Sequence, residues 1–365
     1  MKSTAISLMA LAAALGAFAA APAVAQPGVA QSSATRTAQA YHAPKNAFGQ
    51  PDLEGVWTNA TLTRLERDPK YGANLVMPST DAQAVEKENS KFIAEANKPT
   101  DPKVKTTDLP YDCGRGFKGS DCGYNFAWTD PGTEVMAVAG QKRTSIIVEP
   151  ANGQLPPLTP EGKKRLAARF QRSAFDGPEA RSLGERCILS FGSAAGPPML
   201  PLLYNNNYQI FQTRDAVTIV VEMVHDTRII RLNTGHLPAK MKQWMGDSVG
   251  HWEGDTLVVE TTNMRPEQGF RGAGGDTKVV ERFTRIGPRQ ILYRFTVDDP
   301  EVYTAPFTGE VALNASKGPI YEYACHEGNY AMPGILAGAR ELEKQGRDPG
   351  AGPRDASGAP AAEGQ

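Results

Sequence analysis

The stretch NYQIFQTRDAVTIVVEMV, residues 207–224, decides the fold. Two runs, 207–213 and 216–224, are rich in Val, Ile, Phe and Tyr and meet across Arg214-Asp215. β-Branched and aromatic residues at period two, broken by a short polar turn, predict a β-hairpin. The same pattern recurs on the C-terminal side. HWEGDTLVVETTN (251–263) turns at Glu253-Gly254-Asp255, and TKVVERFTRIG (277–287) meets RQILYRFTV (289–297) across Gly287-Pro288. Thr304 to Leu313 and Pro319 to Ala324 read as further strands. Strands that follow one another through short turns form an antiparallel meander. So many in so short a length must close or stack, because open edges aggregate. The expected class is mainly β: an antiparallel up-and-down barrel or a sandwich over 201–345, with an irregular N-terminal annex over 49–200 and a few short helices.

The annex carries sparser signals. A short strand is expected around Val56-Trp57. Thr80 to Asn97 reads as a helix with Thr80 and Gln83 as a capping box and an apolar stripe of Ala82, Val85, Phe92, Ile93 and Ala96. Thr144 to Val148 reads as a strand. A second helix starts at Thr159-Pro160, and Pro333 to Lys344 reads as a last short one.

Outside the folded part, residues 1–25 have the form of a signal peptide: Lys2, an apolar run from Ile6 to Ala20, and Ala23-Val24-Ala25 as the cleavage site. The apolar run is too short for a membrane anchor. A periplasmic or secreted location is the expectation. Residues 26–48 and 346–365 lack an apolar face and read as disordered. The formal net charge of -1 offers no electrostatic footprint for nucleic acid or a membrane surface. With 28 prolines and 36 glycines, turns and short strands are favoured over a helical fold.

Export places the cysteines where thiols oxidise. Cys113 and Cys122 bound a glycine-rich loop that folds back easily, which leaves Cys187 to pair with Cys325. The long bridge stabilises by roughly 4–5 kcal/mol in the chain-entropy picture. A four-thiolate metal site is the rival, but no C-x2-C pair is present. No cofactor and no metal motif is expected; a scattered site built from His225, His326 and carboxylates is the metal alternative left open. Walker and His-x-x-x-His patterns are absent, and the G-x-G-x-x-G spacing at 114–119 follows no expected strand. The G-x-S-x-G spacing at 246–250 leads into the hairpin at 251–263 rather than into a helix, so it is not read as a nucleophile elbow.

Along the strands, one face is mostly apolar and the other mixes apolar residues with a single charge. That mixed face suits either a lined barrel lumen or a sparsely charged outer surface. Candidate chemistry gathers at strand ends. His225-Asp226, with Glu222 just before, can form an oriented base if the chain turns there, or can simply close a turn. His326-Glu327 follows Cys325 and would be held rigidly by a bridge. Tyr204, Asn206 and Tyr208 of YNNNY, with Trp244 and Tyr323, are candidate walls for a small molecule or ordinary structural residues.

RTSIIVEPANGQLPPLTPEGKKR, HLPAKMKQWMGDSVGHWEGDTLVVETTN and GPIYEYACHEGNYAMPGILAGAR resemble blocks of a large family of uncharacterised secreted bacterial proteins. The likeness runs from Gly49 to Arg340 and departs at Val249 and His251, where arginines are usual. It implies export and a shared fold, lipocalin-like in the strand-rich half, rather than a reaction. Two functions are expected from the residues. One is a cofactor-independent acid/base enzyme (lyase, isomerase or hydrolase) acting on a small carbohydrate or aromatic compound. The other is a non-catalytic periplasmic binding protein for a small apolar ligand. An enzyme should bring a histidine and a carboxylate with shifted pKa to one pocket; a binder should present a mostly apolar cavity with the histidines elsewhere.

Overall fold

The structure is a computed structural model. It describes residues 41–97, 129–171, 175–190, 193–268, 270 and 273–350, together with residue 103 and the backbone of 112–114 and 117–118. The strands in chain order are β1 (Gly55–Thr58), β2 (Asp112–Gly114), β3 (Phe117–Lys118), β4 (Ala137–Val138), β5 (Gln141–Lys142), β6 (Ile147–Glu149), β7 (Asn207–Gln212), β8 (Ala216–Val221) and β9 (Thr227–Leu232). They continue with β10 (Asp247–Glu253), β11 (Thr256–Thr262), β12 (Lys278–Gly287), β13 (Gln290–Asp298) and β14 (Phe307–Ala315). Helices α1 (Ser79–Ala96), α2 (Pro160–Gln171) and α3 (Ala331–Lys344) are the α-helical elements.

Nine of the described strands close a barrel in the order β1, then β7 to β14. The short annex strand β1 is the closing stave. It pairs with β7 on one side and, through Trp57 and Thr58 opposite Ala315 and Asn314, with β14 on the other. Strand β6 adds to the part of the β14 edge that β1 leaves open.

The expected barrel is present, with one change in its wiring. β9 and β10 run parallel, with Ser248 opposite Ile230 and Gly250 opposite Leu232. The connection 233–246 is no tight turn. It returns the chain to the end of the barrel where β9 began, so β10 rises alongside it. Pro319–Ala324 forms no strand and is largely exposed. With β1 and β6 on β14, no edge is left there for another strand to join. Thr80 lies inside α1, whose first turn follows Pro78 with no side-chain cap, so the expected capping box is not formed.

The apolar faces point inward and fill the barrel, as a barrel of this size requires. Tyr208, Ile219, Val259, Phe283, Tyr293 and Phe295 are all buried there. Gly309 faces Phe295 across β13 and β14, and a Cβ at that position would strike the Phe295 ring. The mixed face is the outside: Thr218, Glu260, Arg282 and Arg294 are half-buried on it. Glu281 is the charged exception on the inner face, and Arg228 on β9 meets it. Their side chains are 0% and 1% exposed. The Tyr293 hydroxyl donates to Glu281 Oε1 at 2.7 Å and accepts the Met199 N–H at 3.0 Å. Burial opposes charge on Arg228, but Glu281 outweighs it and holds the guanidinium above its ordinary value.

Cys187 and Cys325 are joined by a disulfide with Cα atoms 5.7 Å apart. The expected Cys113–Cys122 bridge lies outside the described residues, as do the expected leader, most of the linker and residues 351–365. Among the described residues no helix is long and apolar enough to cross a membrane.

Candidate functional site

One rim of the barrel carries the tight turns after β7, β10 and β12. The other carries the end of β8, the start of β9 and the loop between β11 and β12. At this second rim the 129–203 region and the arm after β14 converge.

The corner between β8 and β9 is the first feature. Val224 and His225 both adopt left-handed backbone angles, φ 59° and 49°. A β-branched residue there is strained by roughly 1–2 kcal/mol, and such strain collects at functional positions. Glu222, 4% exposed, accepts hydrogen bonds from Asn205 Nδ2 at 2.7 Å and Asn207 Nδ2 at 3.0 Å. Asn206 is buried and donates to the carbonyls of Asp130 (2.7 Å) and Leu202 (2.9 Å). The three asparagines therefore brace the corner and the segment leading into β7. Burial of Asp130 and the nearby negative charge of Glu222 raise the Asp130 carboxyl, against the Gly132 N–H.

Asp226 accepts the Ser190 N–H at 2.9 Å. Burial pushes its carboxyl up to about 6, only partly opposed by the Ser190 N–H and by His225. His225 is exposed, and its Nδ1 lies 3.2 Å from the Tyr323 carbonyl, placed to donate to it. Glu222, His225, Asp226 and Tyr323 are thus brought to one corner. Tyr204 packs half-buried against the barrel core. His326 and Glu327 are exposed on the arm next to the disulfide. Tyr208 is inside the barrel, where its hydroxyl accepts from Asn59 Nδ2 and donates to the Ala194 carbonyl. The Arg265 guanidinium lies over Trp244, its Cζ 4.2 Å from the ring centroid.

The second feature is a cavity of about 1420 Å³ between the rim and the annex. Its apolar walls include Leu65, Ile146, Leu189, Leu200, Leu202 and Phe270. Arg165, Arg181, Arg186 and Lys242 bring positive charge to it, and Glu179, Glu267 and Asp276 bring negative charge. The loop 181–190 forms one side. Asp226 stands one hydrogen bond behind its wall residue Ser190. The disulfide anchors that loop to the C-terminal arm, and Asn329 Nδ2 donates to the Glu185 carbonyl at 2.8 Å. Among the described residues that line the cavity there is no histidine.

Sequence reasoning did not single out Arg165, Arg181, Arg186, Ser190 or Lys242. The available signal was ARSLGERCILS (180–190), where arginines flank a cysteine already expected to be cross-linked. Such a segment is held in place without regular secondary structure, which suits a site wall. Among the described residues no group of His, Cys, Asp and Glu is gathered to hold a metal ion. No protein-family model matches the chain, and neither the curated proteins nor the solved structures contain a match to it.

Proposed function

We propose that this protein binds a small organic molecule in the cavity between the barrel rim and the annex. The reading includes export to an oxidising compartment, for which the leader-like residues 1–25 and the Cys187–Cys325 bond are the support. It also includes membership of the secreted bacterial family whose blocks the chain resembles.

The observation that carries the binding reading is the cavity itself. It is large, leucines form part of its wall, and none of its described lining residues is a histidine. A filled barrel leaves ligand binding to the space outside its rim. The test is native mass spectrometry of protein purified without denaturant. A small molecule released on unfolding is expected, and Leu202→Trp, which fills the cavity, should lower its occupancy. Dye titration with N-phenyl-1-naphthylamine gives a second readout. Absence of both a co-purified molecule and dye binding that Leu202→Trp diminishes would sink the reading.

A second reading, acid/base catalysis, is favoured by one observation. Asp226, raised to about 6, stands beside exposed His225 on strained backbone. If a molecule recovered from the cavity is turned over by the wild type and only bound by His225→Ala, this second reading replaces the first.

A further inference from the structure

Resting on the binding reading above, we propose that the ligand is an organic anion, an apolar or aromatic body bearing one carboxylate-type head, and that Arg186 receives the head.

The argument starts from how the cavity's charges are spent. Arg165 is paired with Glu161 (3.3 Å) and with Glu301. Arg181 is paired with Glu185. Lys242 reaches Asp276 at 3.2 Å and the Gly275 carbonyl at 2.6 Å. Glu267 is held by Arg265 at 3.1 Å. Arg186 differs. Its side chain makes no hydrogen bond or ion pair among the described residues, although it is half-buried and lines the cavity. Glu267 feels its charge without contacting it, and that charge helps hold the Glu267 carboxyl below its ordinary value, after the larger effect of Arg265.

A half-buried guanidinium in the cavity with no protein partner relies on water for its hydrogen bonds. A neutral apolar ligand would make this worse by excluding water from it. A ligand with an anionic head would satisfy it, because the planar fork of arginine donates to two oxygens of a carboxylate or sulfonate at once. The wall residues Leu189, Leu200, Leu202 and Phe270 then cover the body. Arg186 is also well held. Its neighbour Cys187 is bonded to Cys325, and the carbonyl of its other neighbour, Glu185, is taken by Asn329. A pre-positioned cation loses less entropy on binding.

Two dyes with the same body separate this inference from the reading it rests on. N-phenyl-1-naphthylamine is neutral; 8-anilinonaphthalene-1-sulfonate adds one anionic group. Wild type should bind the sulfonate about tenfold more tightly than the neutral dye. Arg186→Gln should weaken sulfonate binding by about tenfold and leave the neutral dye unchanged, which also reports that the variant is folded. Arg186→Lys should fall between. 4-Phenylbutyrate should displace the sulfonate dye, and 4-phenylbutyramide should do so poorly. If the wild type binds both dyes equally, the ligand is neutral and the inference fails while the binding reading stands. Loss of displacement by phenylbutyrate together with displacement by inorganic phosphate alone would overturn the apolar body. If neither dye responds to Leu202→Trp, the binding reading itself has failed.

Discussion

Arg228 on β9 and Glu281 on β12 are joined inside the barrel by two hydrogen bonds, Nη1 to Oε1 at 3.0 Å and Nη2 to Oε2 at 2.5 Å. Neither side chain reaches solvent. Thr261 and Ser248 complete the polar centre, their hydroxyls 2.8 Å apart. The pair spans β10 and β11, which lie between its two strands in the sheet, so it ties four strands together through the core.

Removing one partner leaves the other charged and dry. Arg228→Met or Glu281→Leu should each cost about 3–5 kcal/mol in urea unfolding. The double variant Arg228→Met/Glu281→Leu should lose less than the sum of the single changes, because no charge is left stranded. Additive losses would mean that the two groups do not act as a pair.

Gly309 marks a different constraint on the same core. The Phe295 ring covers it from the adjacent strand, so there is no space for a methyl group. Gly309→Ala should destabilise by about 1–3 kcal/mol through overpacking. Phe295→Leu in the same chain should recover part of that loss, read as a thermal midpoint above that of Gly309→Ala alone. A neutral Gly309→Ala would mean that the ring moves aside freely.

The disulfide has a structural and a local consequence. It closes a separation of 138 residues and fastens the exposed arm before α3 to the cavity loop. Replacing both cysteines by serine should cost roughly 2–5 kcal/mol. The local effect is separable: limited proteolysis should cut the arm between 317 and 330 faster than it cuts the barrel. Non-reducing peptide mapping of the wild type should recover Cys187 joined to Cys325, and free thiols at both positions would remove this prediction.

How much of this was legible follows from the range of the forces involved. The period-two runs at 207–224 and 277–297 gave the strands because each residue's face is set locally by the pleat. Glu281 was not singled out, although it is the lone acid on an otherwise apolar face. The parallel β9–β10 pair was not legible, because it depends on the path of 233–246, which has no periodicity. The closing role of β1 was hidden for a related reason. Val56-Trp57 reads as a strand, but its partners on β7 and β14 lie far along the chain. The mixed strand face was ambiguous by pattern and proved to be the outer surface. At the candidate site, the turn at His225-Asp226 was visible in sequence. Arg186 was not, since its position depends on a cross-link to Cys325 and on the packing of 181–190 over the rim.

Asp226 supplies a pH dependence whose sign can be worked out. Its carboxyl is raised to about 6 from an ordinary value of 3.8, chiefly by burial. The folded chain therefore holds this proton more tightly than the unfolded chain does. The stabilisation is complete below the unfolded value and is lost as pH rises through about 6. A shift of this size corresponds to at most ~3 kcal/mol, and partial solvent access reduces it to about 1–2 kcal/mol. Asp226→Asn keeps the acceptor for the Ser190 N–H and does not titrate. The stability of wild type relative to Asp226→Asn should thus fall by about 1–2 kcal/mol between about pH 4 and about pH 7.5, measured by urea unfolding at each pH. Adjacent His225 acts in the opposite direction, since its charge favours the Asp226 carboxylate, so His225→Ala should enlarge the fall. A flat difference would mean that Asp226 ionises as if in water, and the corner would then lack the acid that catalysis at His225 needs.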